Sequence, residues 1–147
     1  MSGIEKAISS FRGDFNCAQS ILSSYSTEYG LDKDTALRIA TGFGGGMGRM
    51  QNTCGAISGA FMVIGLKYGM GEDSDTEAKE KTYQVIREFS NRFQKIHGSI
   101  ICKELLGCDI NTPEGKHYYD RNDLFEKKCF QYVKDSAMIL GDMLKID

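Results

Sequence analysis

The 147-residue chain contains no tryptophan, one proline (Pro113) and only two histidines, His97 and His117. With one proline and few alternating β-branched runs, the period-two pattern of a sheet protein is missing, and helices are expected throughout. Two histidines exclude a histidine-rich metal centre, and each reads as an end-of-helix or surface residue. An excess of either charge is also absent. Eighteen Lys and Arg stand against 20 Asp and Glu, a net charge of −2, and the interspersed signs leave no basic stripe of the kind nucleic-acid binding demands. No apolar run reaches the ~20 residues that a membrane span takes. The N-terminal stretch MSGIEKAISSFRGDF lacks an apolar run with a cleavage site, so no signal peptide is expected and the reducing cytoplasm is the expected compartment. No two cysteines are spaced C-x₂-C, the commonest arrangement in small zinc sites.

Cysteine and glycine, by contrast, are plentiful. A single domain of this length (1–147) buries enough surface to be stable without staples, so its five cysteines are not explained by smallness. In a reducing compartment such cysteines more often bind metals or do chemistry than form structural disulfides. Six of the seventeen glycines fall between Gly42 and Gly55. Each glycine loses more backbone entropy on folding than any other residue, so the cluster points to a loop that serves a ligand or a close approach of backbones. Neither G-x-x-x-x-G-K-[ST] nor G-x-G-x-x-G fits residues 42–48, which excludes the phosphate loops those patterns encode. Successive glycine amides could still form an anion-binding nest there.

The stretch from Thr53 to Leu66 carries no charge, and its apolar positions surround the helical wheel, the mark of a helix buried among others. Gly55 and Gly59, with Ala56 and Ala60 beside them, leave one face of it nearly bare, so another backbone or a flat ligand could lie there. If Asn52 or Thr53 caps this helix, Cys54 sits in its first turn. The unpaired amides and the helix dipole then favour a thiolate, with Arg49 acting in the same direction.

Around this helix the periodicity predicts others. A short one stops at Gly13. A second, capped by Asp14, carries Cys17 at its third position and ends at Gly30. A third, capped by Asp32 or Asp34, runs from Thr35 to Ala40. A long surface helix extends from Ser74 or Asp75 to Gly98. A short helix capped by Ser99 puts Cys102 at its third position and ends at Gly107. Residues 108–121 read mostly as loop. A last helix, capped by Asn122, holds Cys129 on its inward stripe. The expected fold is an all-α, single-domain helical bundle with a buried central helix preceded by a glycine-rich loop. Cys17, Cys54 and Cys102 thus fall in the first turns of three helices. The bland alternative is that free cysteines only fill core space.

The succession FNCAQ, FGGGMGRM, CGAISG, ICKELLG and KCFQYVKDSA resembles the C_GCAxxG_C_C family of redox-active proteins, over nearly the whole chain from Phe15 to Leu140. The family's four recurring cysteines match Cys17, Cys54, Cys102 and Cys129; Cys108 falls outside the pattern. The resemblance implies a redox role carried by cysteine. Some relatives belong to larger redox proteins with haem, but this chain has no C-x-x-C-H for covalent attachment. The leading expectation is therefore a dithiol/disulfide couple centred on Cys54, with Cys17, Cys102 or Cys129 as its partner. A second is a module in which those four thiolates hold a metal or an iron–sulfur cluster. A third is a non-catalytic domain that binds a small anion or a partner through Gly44, Gly45, Gly46, Gly48 and Arg49. The cofactor is accordingly none or a cysteine-ligated metal or cluster. The redox partner is not specified, and an oligomer is compatible with the sequence. The four cysteines are expected to converge in the core, with Cys108 outside.

Overall fold

The computed structural model describes residues 1–145. Eight α-helices account for the fold, and no strand is formed among the described residues. They are α1 (Gly3–Arg12), α2 (Cys17–Ser26), α3 (Lys33–Ala40), α4 (Gly55–Tyr68), α5 (Thr76–His97), α6 (Cys102–Leu106), α7 (Pro113–Arg121) and α8 (Phe130–Leu144).

Helix α4 is the axis of the bundle, as its charge-free sequence predicts. Gly55 through Ala60, Val63 and Ile64 are all buried, and α2, α5 and α8 pack around it. The glycine face receives a backbone rather than a flat ligand. A β-carbon added at Gly59 would stand 2.9 Å from the Ala18 carbonyl oxygen, and one at Gly55 3.0 Å from both the Ala18 nitrogen and the Cys17 β-carbon. The two glycines therefore set how closely α2 and α4 approach. Polar stitches fix the other contacts. Ser136 on α8 donates to the Ala56 carbonyl at 2.7 Å, and Tyr25 on α2 donates to the Ala137 carbonyl at 3.0 Å.

Several helix ends differ from those expected. Helix α2 is capped by Asn16, not Asp14. Asn16 accepts from the Gln19 amide while Gln19 accepts from the Asn16 amide, a reciprocal box that satisfies two orphan donors at once. This makes Cys17 the first helical residue rather than the third. Cys102 shifts likewise, because Ile101 is the cap of α6 and the Ser99 hydroxyl instead accepts from the Ile101 amide. Asp32 caps α3 and Asp75 caps α5, both within the expected alternatives.

The expectation of a loop over 108–121 is overturned, since α7 occupies Pro113–Arg121. Thr112 caps it, and Pro113 sits in the first turn, where a missing N–H costs nothing. Asn122 ends α7 instead of opening the last helix. That helix is entered through a π-helical turn, Phe125–Cys129, in which wider winding accommodates an extra residue.

Candidate functional site

Three helices begin at cysteines. Cys17 is the first residue of α2, Cys54 is the cap residue of α4, and Cys102 is the first residue of α6, while Cys129 closes the π-turn that leads into α8. Cys17, Cys54, Cys102 and Cys129 line one cavity of about 370 Å³. Cys54 is 5% and Cys102 8% exposed, whereas Cys17 and Cys129 are half-buried as residues, although burial still dominates the surroundings of both sulfurs. Phe11, Leu105, Leu106 and Tyr132 form much of the apolar wall.

Backbone pairing fixes two of the cysteines relative to each other. Thr53 and Ile101 form an isolated antiparallel bridge. The Cys54 amide donates to the Ile100 carbonyl at 2.8 Å, and the Cys102 amide to the Asn52 carbonyl at 2.6 Å. In this register Cys54 and Cys102 lie on the same face as diagonal neighbours, a relation that separates residues by about 7–8 Å. The usual upper limit between the Cα atoms of a disulfide is about 7 Å.

The glycine loop supplies one side of the cavity. From Gly45 to Arg49, five consecutive residues take φ between 58° and 70°, and Gln51 follows at 58°. The result is a left-handed turn closed by long-reach bonds from Gly48 to Gly42, Gln51 to Gly45 and Asn52 to Gly46. Three of these residues, Met47, Arg49 and Gln51, are not glycine and each stores about 1–2 kcal/mol of backbone strain. Gly46 is required twice. Besides its positive φ, a β-carbon there would stand 2.6 Å from Gln51 Cα and 2.8 Å from Cys102 Cβ. Gly45, Gly46 and Arg49 line the cavity. Gly44 and Gly48 do not: Gly44 packs on the Asn16 side chain, and Gly48 faces open space. Every amide from Met47 to Asn52 donates to a carbonyl within the loop, so an anion nest here would have to use the amides of Gly44, Gly45 and Gly46.

Burial governs the chemistry of the thiols. It pushes Cys54 up to about 12 and Cys102 up to about 11, and lifts Cys17 well above the ordinary thiol value. After burial, Cys17 feels the charges of Cys54, Cys129 and Cys102, and Cys54 those of Cys102 and Cys129. With the Cys129 charge acting on Cys102, all six pairings of the four thiols are close enough to oppose joint ionisation. The expectation of a thiolate at Cys54 is thus corrected. The amides of Ala56 and Ile57 do favour the ionised sulfur, as a helix start should, but desolvation outweighs them. Arg49 does not figure among the principal influences on Cys54.

Three further residues stand near the cysteines, Tyr119 and Tyr132 in the cavity lining and Gln51 behind it. Tyr119, on the unforeseen helix α7, brings its hydroxyl 3.6 Å from Cys129 Sγ, and that contact opposes the upward push of burial on Cys129. Tyr132 lines the wall and donates to the Leu105 carbonyl at 2.8 Å. Gln51, 3% exposed, ties the loop to the segment after α6: its amide donates to the Cys108 carbonyl at 3.0 Å, and its oxygen accepts from the Ile110 amide at 3.0 Å. Its Nε2 also lies 4.0 Å from Cys102 Sγ. The histidines are of the two expected kinds: His117 is exposed, and His97 stands at a helix end. It packs at a tilt against Phe93 and edge-on against Tyr132, and pairs with Asp135 at 2.7 Å.

Among the described residues all five cysteines are free. Cys108 does not line the cavity and sits in a separate surface depression with Met50 and Asn52, yet its charge bears on Cys102 and Cys129. Four sulfurs are the right donors for zinc or an iron–sulfur cluster. Their placement does not fit, since no group of three or more His, Cys, Asp or Glu side chains among the described residues is positioned to hold a metal ion.

A family model described as "Putative redox-active protein (C_GCAxxG_C_C)" matches residues 15–143. The chain belongs to this C_GCAxxG_C_C family. All four cysteines of the cavity fall inside the matched region. No curated protein and no solved structure matches the chain. No helix among the described residues is long and apolar enough to cross a membrane.

Proposed function

We propose that this member of the C_GCAxxG_C_C family works as a thiol redox protein whose couple forms between Cys54 and Cys17 inside the shared cavity. The observation that carries the reading is the meeting of four free thiols, drawn from four separate segments, on one cavity wall. Mere core-filling would scatter them. Cys17 is favoured as the partner because the backbone next to Cys54 closes on it, Gly55 being needed to clear the Cys17 β-carbon. Cys102, held as a diagonal neighbour across the Thr53–Ile101 bridge, is near or beyond disulfide reach.

Cys17 is assigned as the attacking thiol because as a residue it is less buried than Cys54, although burial raises both thiols. Its sulfur, losing its proton, attacks one sulfur of that disulfide, forming a mixed disulfide and releasing one thiol. Cys54 then displaces the second thiol and leaves a Cys17–Cys54 bond. Two S–H bonds of the protein are replaced by one S–S bond, and two electrons and two protons pass to the substrate disulfide. The neutral thiols that burial enforces suit a couple that moves protons together with electrons.

Mild oxidation followed by mass spectrometry tests this. The chain is expected to lose two hydrogen masses, peptide mapping to link Cys17 to Cys54, and Cys108→Ser to leave that link intact. Four thiols still unlinked after complete oxidation would sink the reading. Metal and sulfide analysis of anaerobically purified protein provides the second arm: a stoichiometric metal that masks the four thiols would replace the couple with a ligand set.

A further inference from the structure

The electrostatics of the cavity are one-sided. Its lining includes two charged side chains, Arg49 and Lys116, and no carboxylate. Arg49 enters from the left-handed turn and Lys116 from α7, so cations stand on two separate elements of the wall. Lys116 is partly neutralised by Asp120, 2.9 Å away, at a well-exposed position. Arg49 takes part in none of the seven ion pairs among the described residues. Lys128 adds a third positive charge near Cys129, with its ammonium held 3.3 Å from the Leu105 carbonyl. No carboxylate figures among the principal charges bearing on Cys17, Cys54, Cys102 or Cys129. A low-dielectric pocket with charge of one sign attracts the opposite sign, and it does so more strongly than open surface.

Size narrows the ligand further. A volume of about 370 Å³ lies at the small end of the roughly 300–1,000 Å³ that ligand sites span. Cys54 is buried and burial also dominates around the Cys17 sulfur, which puts the couple beyond the reach of a disulfide fixed on the face of a folded protein. The occupant must enter the pocket. The loop amides from Met47 to Asn52 are already donated internally. The charged recognition groups in the lining are the side chains of Arg49 and Lys116.

Building on the thiol redox reading above, we propose that the substrate is a small, carboxylate-bearing disulfide whose negative charge is held by Arg49 and Lys116 while its sulfur–sulfur bond meets Cys17. The apolar wall of Phe11, Leu105 and Leu106 accommodates its hydrocarbon part. The exchange is that already described: the substrate's two sulfurs leave as two thiols carrying the two protons, and the protein is left with one disulfide.

Three small disulfides of similar shape test the proposal: the dianion 3,3′-dithiodipropionate, neutral 2-hydroxyethyl disulfide and the dication cystamine. The reduced full-length protein is mixed with each at low ionic strength, and loss of protein thiol is followed in time. The dianion is expected to react about tenfold faster than the dication, in keeping with the smaller electrostatic rate effects of charged clefts, with the neutral compound between them. Added salt should compress that spread. In the Arg49→Gln, Lys116→Gln double variant the dianion-to-dication ratio should fall toward one. Should the neutral compound oxidise the thiols while the wild-type ratio is one or inverted, the anionic substrate is overturned and the redox reading stands. If none of the three oxidises the protein, the redox reading fails and this proposal with it. The wild-type ratio and its salt dependence decide the matter even if the variant does not fold.

Discussion

The Tyr119 hydroxyl stands 3.6 Å from Cys129 Sγ, the one side-chain hydroxyl bonded to a cavity sulfur among the described residues. A phenol that donates to a thiolate stabilises the ionised form, and this contact is the largest influence opposing burial at Cys129. The two residues come from elements that the sequence does not obviously join, α7 and the π-turn before α8.

Removing the phenol oxygen should therefore make Cys129 less acidic. In Tyr119→Phe, alkylation of Cys129 by iodoacetamide is expected to slow several-fold at neutral pH, because the thiolate loses its phenol donor. Site-resolved labelling against pH measures it. Unchanged Cys129 labelling alongside unchanged Cys17 labelling would show that the hydroxyl does not donate to the sulfur.

Stability should respond to alkali through the same buried thiols. A thiol whose folded pKa lies above its unfolded value contributes stability that is complete below the unfolded value, about 8.5. That contribution is lost as the pH rises through the folded value. For Cys102 and Cys54 the folded values are about 11 and about 12, so the loss begins near pH 8.5–9. Urea unfolding at pH 7 and pH 10 should show Cys54→Ala gaining on the wild type at the higher pH. A constant gap would contradict the burial of a neutral thiol.

If the couple exchanges two protons with its two electrons, its midpoint potential must track pH. For two electrons a tenfold change in equilibrium constant is 29.6 mV, so two protons give about 59 mV per pH unit. The potential is expected to become more negative with that slope from pH 6 to pH 8. Equilibration against a thiol/disulfide buffer at several pH values measures the slope, and about half of it would mean that one cysteine is already ionised.

The glycine loop predicts a graded series. Gly46→Ala combines a positive φ with overlap onto Gln51 and Cys102 and should cost about 2–5 kcal/mol, the sum of left-handed strain and overpacking. Gly48→Ala has the same φ problem with open space and should cost only about 1–2 kcal/mol. Gly44→Ala has an ordinary φ and displaces only the Asn16 side chain, so it should fall below Gly46→Ala. Urea denaturation of the three variants gives the order, and equal losses would remove the special role of Gly46.

The helical fold and its central helix were legible because the charge-free run Thr53–Leu66 leaves α4 no face to turn to solvent. The convergence of the cysteines was legible from their places at helix starts and on inward stripes. The ionisation of Cys54 was not, because a first-turn position predicts a low pKa and the depth of burial, which reverses it, is a tertiary property. Helix α7 was missed because a polar run after Pro113 shows little apolar period, and Tyr119 went unnoticed with it. Gln51 carried no local signal, since its partners at Cys108 and Ile110 lie far along the chain.

The turn from Gly45 to Arg49 winds as the enantiomer of ordinary helical backbone would. D-amino acids favour that hand, so mirror-image residues placed by chemical ligation would fit where L-residues are strained. At Gly48, where a β-carbon meets nothing, D-alanine would hold the required dihedral angle and narrow the freedom of the unfolded chain. The semisynthetic protein should then be more stable than the natural one, and its L-alanine counterpart less so, although the two differ in chirality alone.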